Sequence, residues 1–426
     1  MNSLIVGLDV SSSWCDAVWL EFMPAGALRD FYESPAFAEC HRKLEANAKS
    51  IQFLVSLEPS VVILEPTRTY SRFWIDCLHR EGIPVLKVDQ TMIKDTRKSY
   101  GGTSNKSDPY DALLMVATYF QHYQIAYDRR YWVRERPPEV AKIEQCLRDI
   151  GSFNKPRTQT INQAKSRLVY EFPAKAKVRV KKESGKLDPD KLPAWWGWAC
   201  GWTSQGSWEI PKGIKTKFDN EYAKAIAAGE GTGISEVTAR LAQQICMWHQ
   251  SEAMVEQELL SYLNLPEFDC YHRVFDKFGF GCRERGWLLT RCVPFDEMFK
   301  CLPKSKAMRR FRQLCGLGAT QVQSGKADTR SSFTGSKETR STLHQFVVRA
   351  IERGTHREQK PGGGAIATTP YDCLPKSPEA HSLRVYWVTR AYHKGNKVSG
   401  AALKAARNAT SRKLAETLFK ALWDMR

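Results

Sequence analysis

Two aspartates three residues apart are the first candidates for chemistry in this sequence. Asp108 and Asp111 lie at the start of an apolar helical pattern that continues to Phe120. This spacing places both carboxylates on one side of the first helical turn, where they could share a divalent cation. The same residues also suit a helix start, with Asp108 as N-cap and Pro109 at the first helical position. Taken alone, the pair favours the helix start over a metal site, because capping signals are the commoner of the two.

Two further acids lie within or at the end of strand-like apolar runs. Asp9 falls in the run 4–10, and Glu65 closes the run that begins at Val61. A buried carboxylate costs free energy unless a cation or a hydrogen-bond partner compensates it, so each acid is either a metal ligand or part of a strand-end cap or ion pair. Together with Asp108 and Asp111 they favour a site for Mg²⁺ or Mn²⁺, which supports two-metal phosphoryl chemistry.

The elements that must position these acids follow a recognisable order. The patterns predict strands at 4–10, 16–22 and 28–32, a helix at 37–57, a strand at 61–65, a helix at 70–80, a strand at 83–88, a short helix at 92–98 and a helix from Asp108. This order is typical of an α/β ribonuclease H-like domain, in which a central strand and a late helix bring acids together. We expect it to span residues 1–130.

The segment from Gly7 to Ser13 also suggests a different class of enzyme, the sugar kinases of the actin-like fold. Their first phosphate loop typically has glycine after the aspartate, which lets the backbone approach a phosphate. Val10 takes that place here, and no second glycine-rich phosphate loop follows. The kinase interpretation is therefore disfavoured.

Length, charge and cysteine content limit the class of protein. A chain of 426 residues predicts two or three domains, and a formal net charge of +18 favours a polyanionic partner such as nucleic acid. The sequence has no membrane-spanning apolar run and no signal-peptide pattern at its start, so we expect a cytoplasmic protein without a membrane partner. The twelve cysteines include no Cys-x-x-Cys pair, which predicts reduced, packed thiols.

The middle of the chain, residues 131–265, is predicted to be a helical coiled-coil arm. A helical pattern opens at Pro137 and is interrupted at Pro156, and a second one with a packed seam begins near Ser235. The seam suits either an intramolecular helix pair or a dimer. Between the helices, the insert 174–217 combines basic and tryptophan residues, which suits either a nucleic-acid surface that includes Lys181 and Lys182 or a small core.

The last part of the chain, residues 266–426, is predicted to be a mainly α-helical domain. Its segment Phe278 to Gly281 suits either a phosphate-binding glycine hairpin or a simple helix–helix turn. Further on, Ser324 precedes a glycine. On residue type alone Ser324 is a turn or phosphate-contact serine, and as a nucleophile it would need a base, a metal or nearby cations. The cations that could stabilise phosphate charge are Lys326, Arg330, Lys337 and Arg340.

The acidic motifs resemble those of a known family. Asp9 in Gly-Leu-Asp-Val-Ser, Glu65 in Leu-Glu-Pro-Thr-Arg-Thr-Tyr, and the run from Lys106 to Ala112 are similar to the four motif positions of the DEDD insertion-sequence transposases. That family has a RuvC-like domain and includes the bridge-RNA-guided recombinases and the Piv-like DNA invertases. The sequence departs from the family at Pro66 and Arg68, where alanine and glycine are more usual.

The resemblance implies an activity and a set of partners. Asp9, Glu65, Asp108 and Asp111 would hold Mg²⁺, Lys106 would contact nucleic acid, and Ser324 would form a transient phosphoserine with DNA. It further implies donor and target DNA, a structured guide RNA from the same element, and a homo-oligomer, either a dimer or a tetramer, in the nucleoid region of a bacterial cytoplasm. Two alternatives are a hydrolytic RuvC-like nuclease or junction resolvase and an inactive nucleic-acid-binding protein.

Overall fold

The computed structural model describes the chain in two compact units, Met1–Glu135 and Arg136–Arg426. The described residues are 4–67, 69–89, 92–93, 96–97, 107–125, 127–128, 131–133, 136–178, 193–201, 212–324, 328–352, 377–391 and 400–425. Backbone alone is described for 319–324 and 328–333. No helix in these ranges is both long and apolar enough to cross a membrane.

A five-stranded mixed sheet forms the centre of the first unit. Its strands are β1 (Ile5–Val10), β2 (Trp14–Leu20), β3 (His41–Glu45), β4 (Val61–Leu64) and β5 (Val85–Lys87). They lie in the order β3-β2-β1-β4-β5, in which β1, β2 and β3 pair antiparallel while β4 and β5 run parallel to β1. The helices are α1 (Leu28–Tyr32), α2 (Pro35–Glu39), α3 (Ala48–Ser56), α4 (Tyr70–Arg80) and α5 (Asp108–Tyr119), which continues as a π-helix at Phe120–Ile125.

The two faces of this sheet are covered by different helices. Val6 and Leu8 of β1 share a buried cluster with Leu54 of α3 and Trp74 of α4. Ile5, the neighbour of Val6, instead packs in a cluster with α5 residues. Alternate residues of a strand point to opposite faces of the sheet. Because helices cover both faces at β1, this strand needs apolar side chains on both faces. The near-continuous apolar composition of β1 and β4 follows from this burial on both sides.

Gly7 lets α5 approach the sheet closely. A Cβ atom at Gly7 would lie 2.2 Å from the carbonyl oxygen of Ala112 and 2.9 Å from Cγ2 of Val116. Any side chain at this position would therefore push the first turns of α5 away from β1. The glycine fixes where the start of α5 meets the central strand.

The third strand lies later in the chain than the sequence predicts. The predicted strand at 28–32 is helix α1, and the predicted helix 37–57 is divided into α2, β3 and α3. In β3 only Leu44 is buried, because this strand lies at the sheet edge and exposes charged residues, which hides the apolar alternation. In α1 an Arg29–Glu33 ion pair four residues apart supports a helical turn.

The described residues of the second unit are mostly helical. The helices are α6 (Pro138–Glu171), α7 (Ala194–Ala199), α8 (Lys212–Ala227), α9 (Glu236–Leu263), α10 (Asp269–Asp276), α11 (Cys282–Cys292), α12 (Phe295–Phe299), α13 (Lys304–Leu314), α14 (Lys337–Phe346), α15 (Pro378–Ala391) and α16 (Gly400–Trp423). Short 3₁₀ turns occur at Pro173–Lys175 and Pro266–Phe268, and a π-helix follows α14 at Val347–Glu352.

The two long helices α6 and α9 pack against each other within the chain. This contact confirms the predicted helix pair in its intramolecular form. The start of α9 agrees with the sequence, since Ser235 is its N-cap and accepts a hydrogen bond from the Thr238 amide. The predicted interruption at Pro156 is wrong, because α6 continues through this residue. The helix, which packs along α9, tolerates the one backbone hydrogen bond that proline cannot donate.

The tryptophans of the insert that the structure describes belong to a core. Trp195 and Trp196 on α7 are buried with Phe172 and Ile245. The Trp198 indole N–H donates to a carboxylate oxygen of Asp219, at 2.8 Å. For these residues the small-core interpretation is confirmed. Lys181 and Lys182 lie outside the described residues, so their predicted contact with nucleic acid stays a prediction.

The C-terminal part adds a β-hairpin to its helices. Strands β6 (Gly318–Ser324) and β7 (Asp328–Thr334) pair antiparallel between α13 and α14. The mainly α-helical prediction missed these strands, because their polar residues show little apolar alternation. Glycines close the base of the hairpin: a Cβ atom at Gly335, whose φ is +98°, would lie 1.6 Å from the Gln313 carbonyl oxygen.

Candidate active site

Asp9 and Glu65 lie at the same edge of the sheet. Strands β1 and β4 are parallel neighbours, and Leu8 pairs with Leu64 at the end of the shared register. Asp9 follows Leu8 and Glu65 follows Leu64, so the two acids lie one strand spacing apart, about 4.8 Å. By alternation, Asp9 shares the face of Gly7, and Glu65 shares the face of Ile63. Both acids thus belong to the face that α5 covers.

The two aspartates of α5 lie in its first turn, near this edge of the sheet. Ser107 is the N-cap, and Asp108 is the first helical residue, so the expected N-cap role of Asp108 is wrong by one position. The Ser107 hydroxyl lies 2.8 Å from the Tyr32 hydroxyl, which ties the helix start to α1. Asp111 precedes Ala112, the residue that contacts Gly7. The backbone therefore brings Asp111 close to the β1 end that carries Asp9.

Arg97 neutralises Asp111. Its Nε lies 2.8 Å from Oδ1 of Asp111, and its Nη2 lies 2.5 Å from Oδ2. The Asp111 side chain is only 4% exposed, and that of Arg97 is 14% exposed. A bidentate ion pair of this kind compensates the free-energy cost of burying a carboxylate. Both oxygens of this candidate metal ligand are engaged by a cation of the chain itself.

A further buried acid, Asp16, lies beside Asp9. Strand register places Asp9 and Asp16 directly opposite each other on β1 and β2. Oδ1 of Asp16 accepts a hydrogen bond from Nε2 of His41, at 2.7 Å. Burial raises the pKa of the neighbouring Cys15, and the charges of Asp16 and Asp9 raise it further. The acidic edge therefore contains one carboxylate more than the sequence suggested.

The acids agree with a divalent metal site in their chemistry. Carboxylate oxygens are the preferred protein ligands of Mg²⁺ and Mn²⁺, and acids from two strand ends and one helix start share one face. Within the described residues, no three histidine, cysteine or acidic side chains converge closely enough to bind one ion together. Asp111, whose two oxygens contact Arg97, would have to release that cation before both could bind a metal.

Ser324 lies at the end of a strand in the second unit. It is the last residue of β6, and its backbone is paired with Asp328 across the hairpin. Arg330 lies on β7 opposite Val322, and Lys326 falls outside the described residues. A residue at a hairpin tip can be presented to a large ligand such as DNA. The structure therefore places the Ser324 backbone at the end of β6, next to the turn of the hairpin, and its role as nucleophile stays a prediction.

The other cations predicted for this region differ in their surroundings. Lys337 is exposed at the first turn of α14. Arg340 is half-buried and donates a hydrogen bond of 3.2 Å to the Gly316 carbonyl, so it supports the turn before β6. Lys106 lies outside the described residues. Lys337 thus remains the better placed of the described pair for contact with phosphate.

The predicted glycine hairpin is a tight connection between two helices. Gly279, with φ +71°, and Gly281, the N-cap of α11, connect α10 to α11. Phe278 and Phe280 are buried, and their rings stack with centroids 5.3 Å apart. The bulky phenylalanines anchor the turn in the core. This geometry satisfies the simple turn interpretation, and phosphate binding by its amides stays a prediction.

Sequence reasoning missed Asp16, His41 and Arg97. Asp16 carried a usable signal, because it interrupts the apolar run of β2 as Asp9 interrupts that of β1. The sequence pattern predicts a helix at His41, and this hides its pairing with Asp16. Arg97 lies 14 residues before Asp111 in a charged segment without apolar periodicity. Only the packed chain brings these two residues together.

Comparisons with known proteins do not identify a family for this geometry. No protein-family model matches the chain, and no curated protein matches it. A functional conclusion therefore depends on the residues of the site and on the motif resemblance described above.

Proposed function

We propose that the first unit is a ribonuclease H-like domain for metal-dependent phosphoryl transfer. The observation that supports it is the acidic edge of the sheet. Asp9 and Glu65 lie side by side at the ends of two neighbouring parallel strands, and the helix start near them carries Asp108 and Asp111. The strand order, with three antiparallel strands followed by two parallel ones, agrees with that fold. Neighbouring carboxylates are costly to bury unless cations or hydrogen-bond donors compensate their charge, which divalent ions at this edge would do.

The particular activity proposed is that of a DNA recombinase or transposase of an insertion sequence. Asp9, Glu65, Asp108 and Asp111 would hold Mg²⁺ or Mn²⁺. Bound divalent ions supply activation of an attacking oxygen and stabilisation of a leaving oxygen. The motif resemblance and the net charge of +18 support DNA as the substrate and a guide RNA as partner.

Ser324 is proposed as the nucleophile of strand exchange. Its hydroxyl oxygen attacks a DNA phosphorus, a P–O bond of the strand breaks, and the leaving oxygen takes up a proton while the serine loses one. Attack by another strand end on the phosphoserine reverses these changes and restores the hydroxyl. Lys326, Arg330 and Lys337 would stabilise the phosphate charge during both steps. No other co-reactant is required.

A hydrolytic nuclease or junction resolvase is the second candidate. All four proposed metal ligands belong to the unit Met1–Glu135, whereas Ser324 belongs to Arg136–Arg426. Hydrolysis needs only the acidic site and a water molecule. This division of residues is the reason to test the two reactions separately.

The deciding experiment looks for DNA covalently attached to protein. The protein is incubated with Mg²⁺, DNA carrying the ends of its own element, and RNA transcribed from that element, and is then denatured. We expect an adduct with the wild type, none with Ser324→Ala, and neither adduct nor cleavage with Asp9→Asn. Cleavage that persists in Ser324→Ala without an adduct supports the nuclease, and a wild type that never cuts DNA contradicts both enzymatic proposals.

The assembly and location proposed follow the same resemblance. A homo-oligomer, a dimer or a tetramer, would hold two DNA partners in the nucleoid region of a bacterial cytoplasm. Mass photometry of the protein with and without DNA measures the oligomeric state directly. A monomer under all conditions contradicts this part of the proposal.

A further inference from the structure

A cleft lies between α15 and α16 in the second unit. Its volume is about 740 Å³, and α15 lines it with a stripe of residues at helical spacing that includes Val385, Tyr386, Thr389 and Arg390. The opposite wall on α16 combines small residues, such as Ala405, with Lys413. Val385 is apolar but 56% exposed. Val385 and Ala405 form the apolar floor of the cleft. Within the described part of the chain this floor is accessible.

Two cations are held against one aromatic ring in this cleft. The guanidinium carbon of Arg390 lies 4.7 Å from the ring centroid of Tyr386, and Nζ of Lys413 lies 5.9 Å from the same centroid. Cation–π contacts of this kind favour a fixed orientation of the charged groups. Among the described residues that line the cleft, none is acidic. The cleft therefore favours an anionic ligand.

The apolar floor narrows the chemistry of that ligand. A free inorganic anion would leave Val385 and Ala405 in contact with water, whereas a nucleotide has a flat apolar base as well as a phosphate. A space of this volume accommodates a ligand of that size. A double helix buries its bases in the stack and cannot present one to such a cleft. The favoured occupant is an unpaired nucleotide.

We propose that the cleft between α15 and α16 binds one unpaired nucleotide of single-stranded nucleic acid. Arg390 and Lys413 contact its phosphate, and the base lies against Val385 and Ala405. Tyr386 acts as a positioning residue for both cations. The inference deepens the proposed function, on which it rests for nucleic acid as the substrate class, and it names a binding site apart from the acidic edge.

Binding without chemistry provides the test. Fluorescence anisotropy is measured in EDTA with a labelled 12-nucleotide RNA of mixed sequence, the same sequence as single-stranded DNA, and the corresponding duplex. Arg390→Ala and Lys413→Ala are each expected to weaken single-strand binding roughly tenfold, because each removes a charge-assisted contact of about 1.4 kcal/mol or more. Duplex affinity is expected to change by less than about twofold. Comparing the RNA with the DNA shows which strand the cleft prefers.

Lys404→Ala is the matched control. Lys404 is an exposed residue of the same helix, nine positions before Lys413 and hence on the opposite side of α16. The Lys404→Ala substitution removes the same charge as Lys413→Ala, and it is expected to change the affinity for single strands by less than about twofold. Thermal unfolding of all three variants verifies that they are folded.

A 4-thiouridine in the RNA should crosslink to the peptide that contains Tyr386.

The outcomes separate this inference from the proposed function. Equal affinities for Lys413→Ala and Lys404→Ala, or a crosslink elsewhere in the chain, overturn the nucleotide site and leave the recombinase proposal standing. Displacement of the RNA by poly-glutamate at equal charge shows that negative charge alone is recognised, which also overturns the site. A wild type that binds none of the three probes contradicts the proposed function itself.

Discussion

At the scale of single residues, the acidic edge is organised by the partners of its carboxylates. Asp111 contacts Arg97 through both oxygens, and Asp16 contacts His41 through one. These cationic or hydrogen-bonding partners compensate burial when no other cation is present. Arg97 therefore acts as a counter-ion that metal binding at Asp111 would have to displace.

Removal of Arg97 should make the first unit dependent on divalent metal. In EDTA, Arg97→Ala leaves the buried Asp111 carboxylate without this cation and is expected to lower stability by about 3 kcal/mol. Adding Mg²⁺ should raise the melting temperature more in the variant than in the wild type, because the metal no longer competes with Arg97. Differential scanning fluorimetry with and without Mg²⁺ measures both effects.

An exposed ion pair in the same unit serves as the control. Arg29→Ala removes the contact to Glu33, in which both side chains are well exposed, and should leave the melting temperature nearly unchanged in either condition. Equal Mg²⁺ stabilisation of Arg97→Ala and the wild type would contradict competition for Asp111.

At the scale of elements, buried charges connect the α6–α9 helix pair to a helix that follows it in the second unit. Glu252 of α9 is fully buried and is engaged by Arg157 of α6 and by Arg283 of α11. Burial lowers the pKa of Arg157, and the charge of Arg283 lowers it further. Arg283 also contacts Glu256, one helical turn later, at 3.0 Å. Three helices are thus held in one register by a single ionic network.

Neutralising Glu252 should destabilise the second unit strongly. Glu252→Gln keeps the size of the side chain but leaves two arginines partly buried without this anion, which is expected to cost about 3–5 kcal/mol. Glu236→Gln at the start of α9 breaks an exposed pair with Arg240 and should cost about 0.5 kcal/mol or less. Urea unfolding followed by circular dichroism compares the two variants, and similar losses would show that the network does not stabilise the helix packing.

At the scale of the whole molecule, each of the two units has a hydrophobic core of its own among the residues that the structure describes. The described residues of the buried clusters around the sheet lie before position 135, and those of the helical unit begin at Ala164 or, in the larger cluster, at Val140. A unit whose apolar side chains are buried among themselves has the energetic basis to fold independently.

A shortened chain that ends at residue 137 should therefore fold alone. We expect a single cooperative thermal transition and the circular dichroism of a mixed α/β protein, because all strands of the sheet and the helices that cover both faces are retained. Broad, non-cooperative melting of this fragment would contradict the independence of the two cores.

The sequence by itself determined those features that depend on local periodicity and on residue type. The apolar runs of β1 and β4, the helix from Tyr70 to Arg80 and the caps of the long helices could be predicted, because neighbours in the chain decide them. The acids Asp9 and Glu65 could be singled out for the same reason, since a carboxylate in an apolar run is visible without coordinates.

Tertiary structure alone decided which residues meet. The edge strand β3 and the polar hairpin β6–β7 carry weak periodicity, and their hydrogen bonds come from distant partners. Arg97 and His41 became part of the acidic edge through packing that no local pattern encodes. Local free energies select helices and strands, whereas the pairing of buried charges depends on contacts that exist only after the chain has folded.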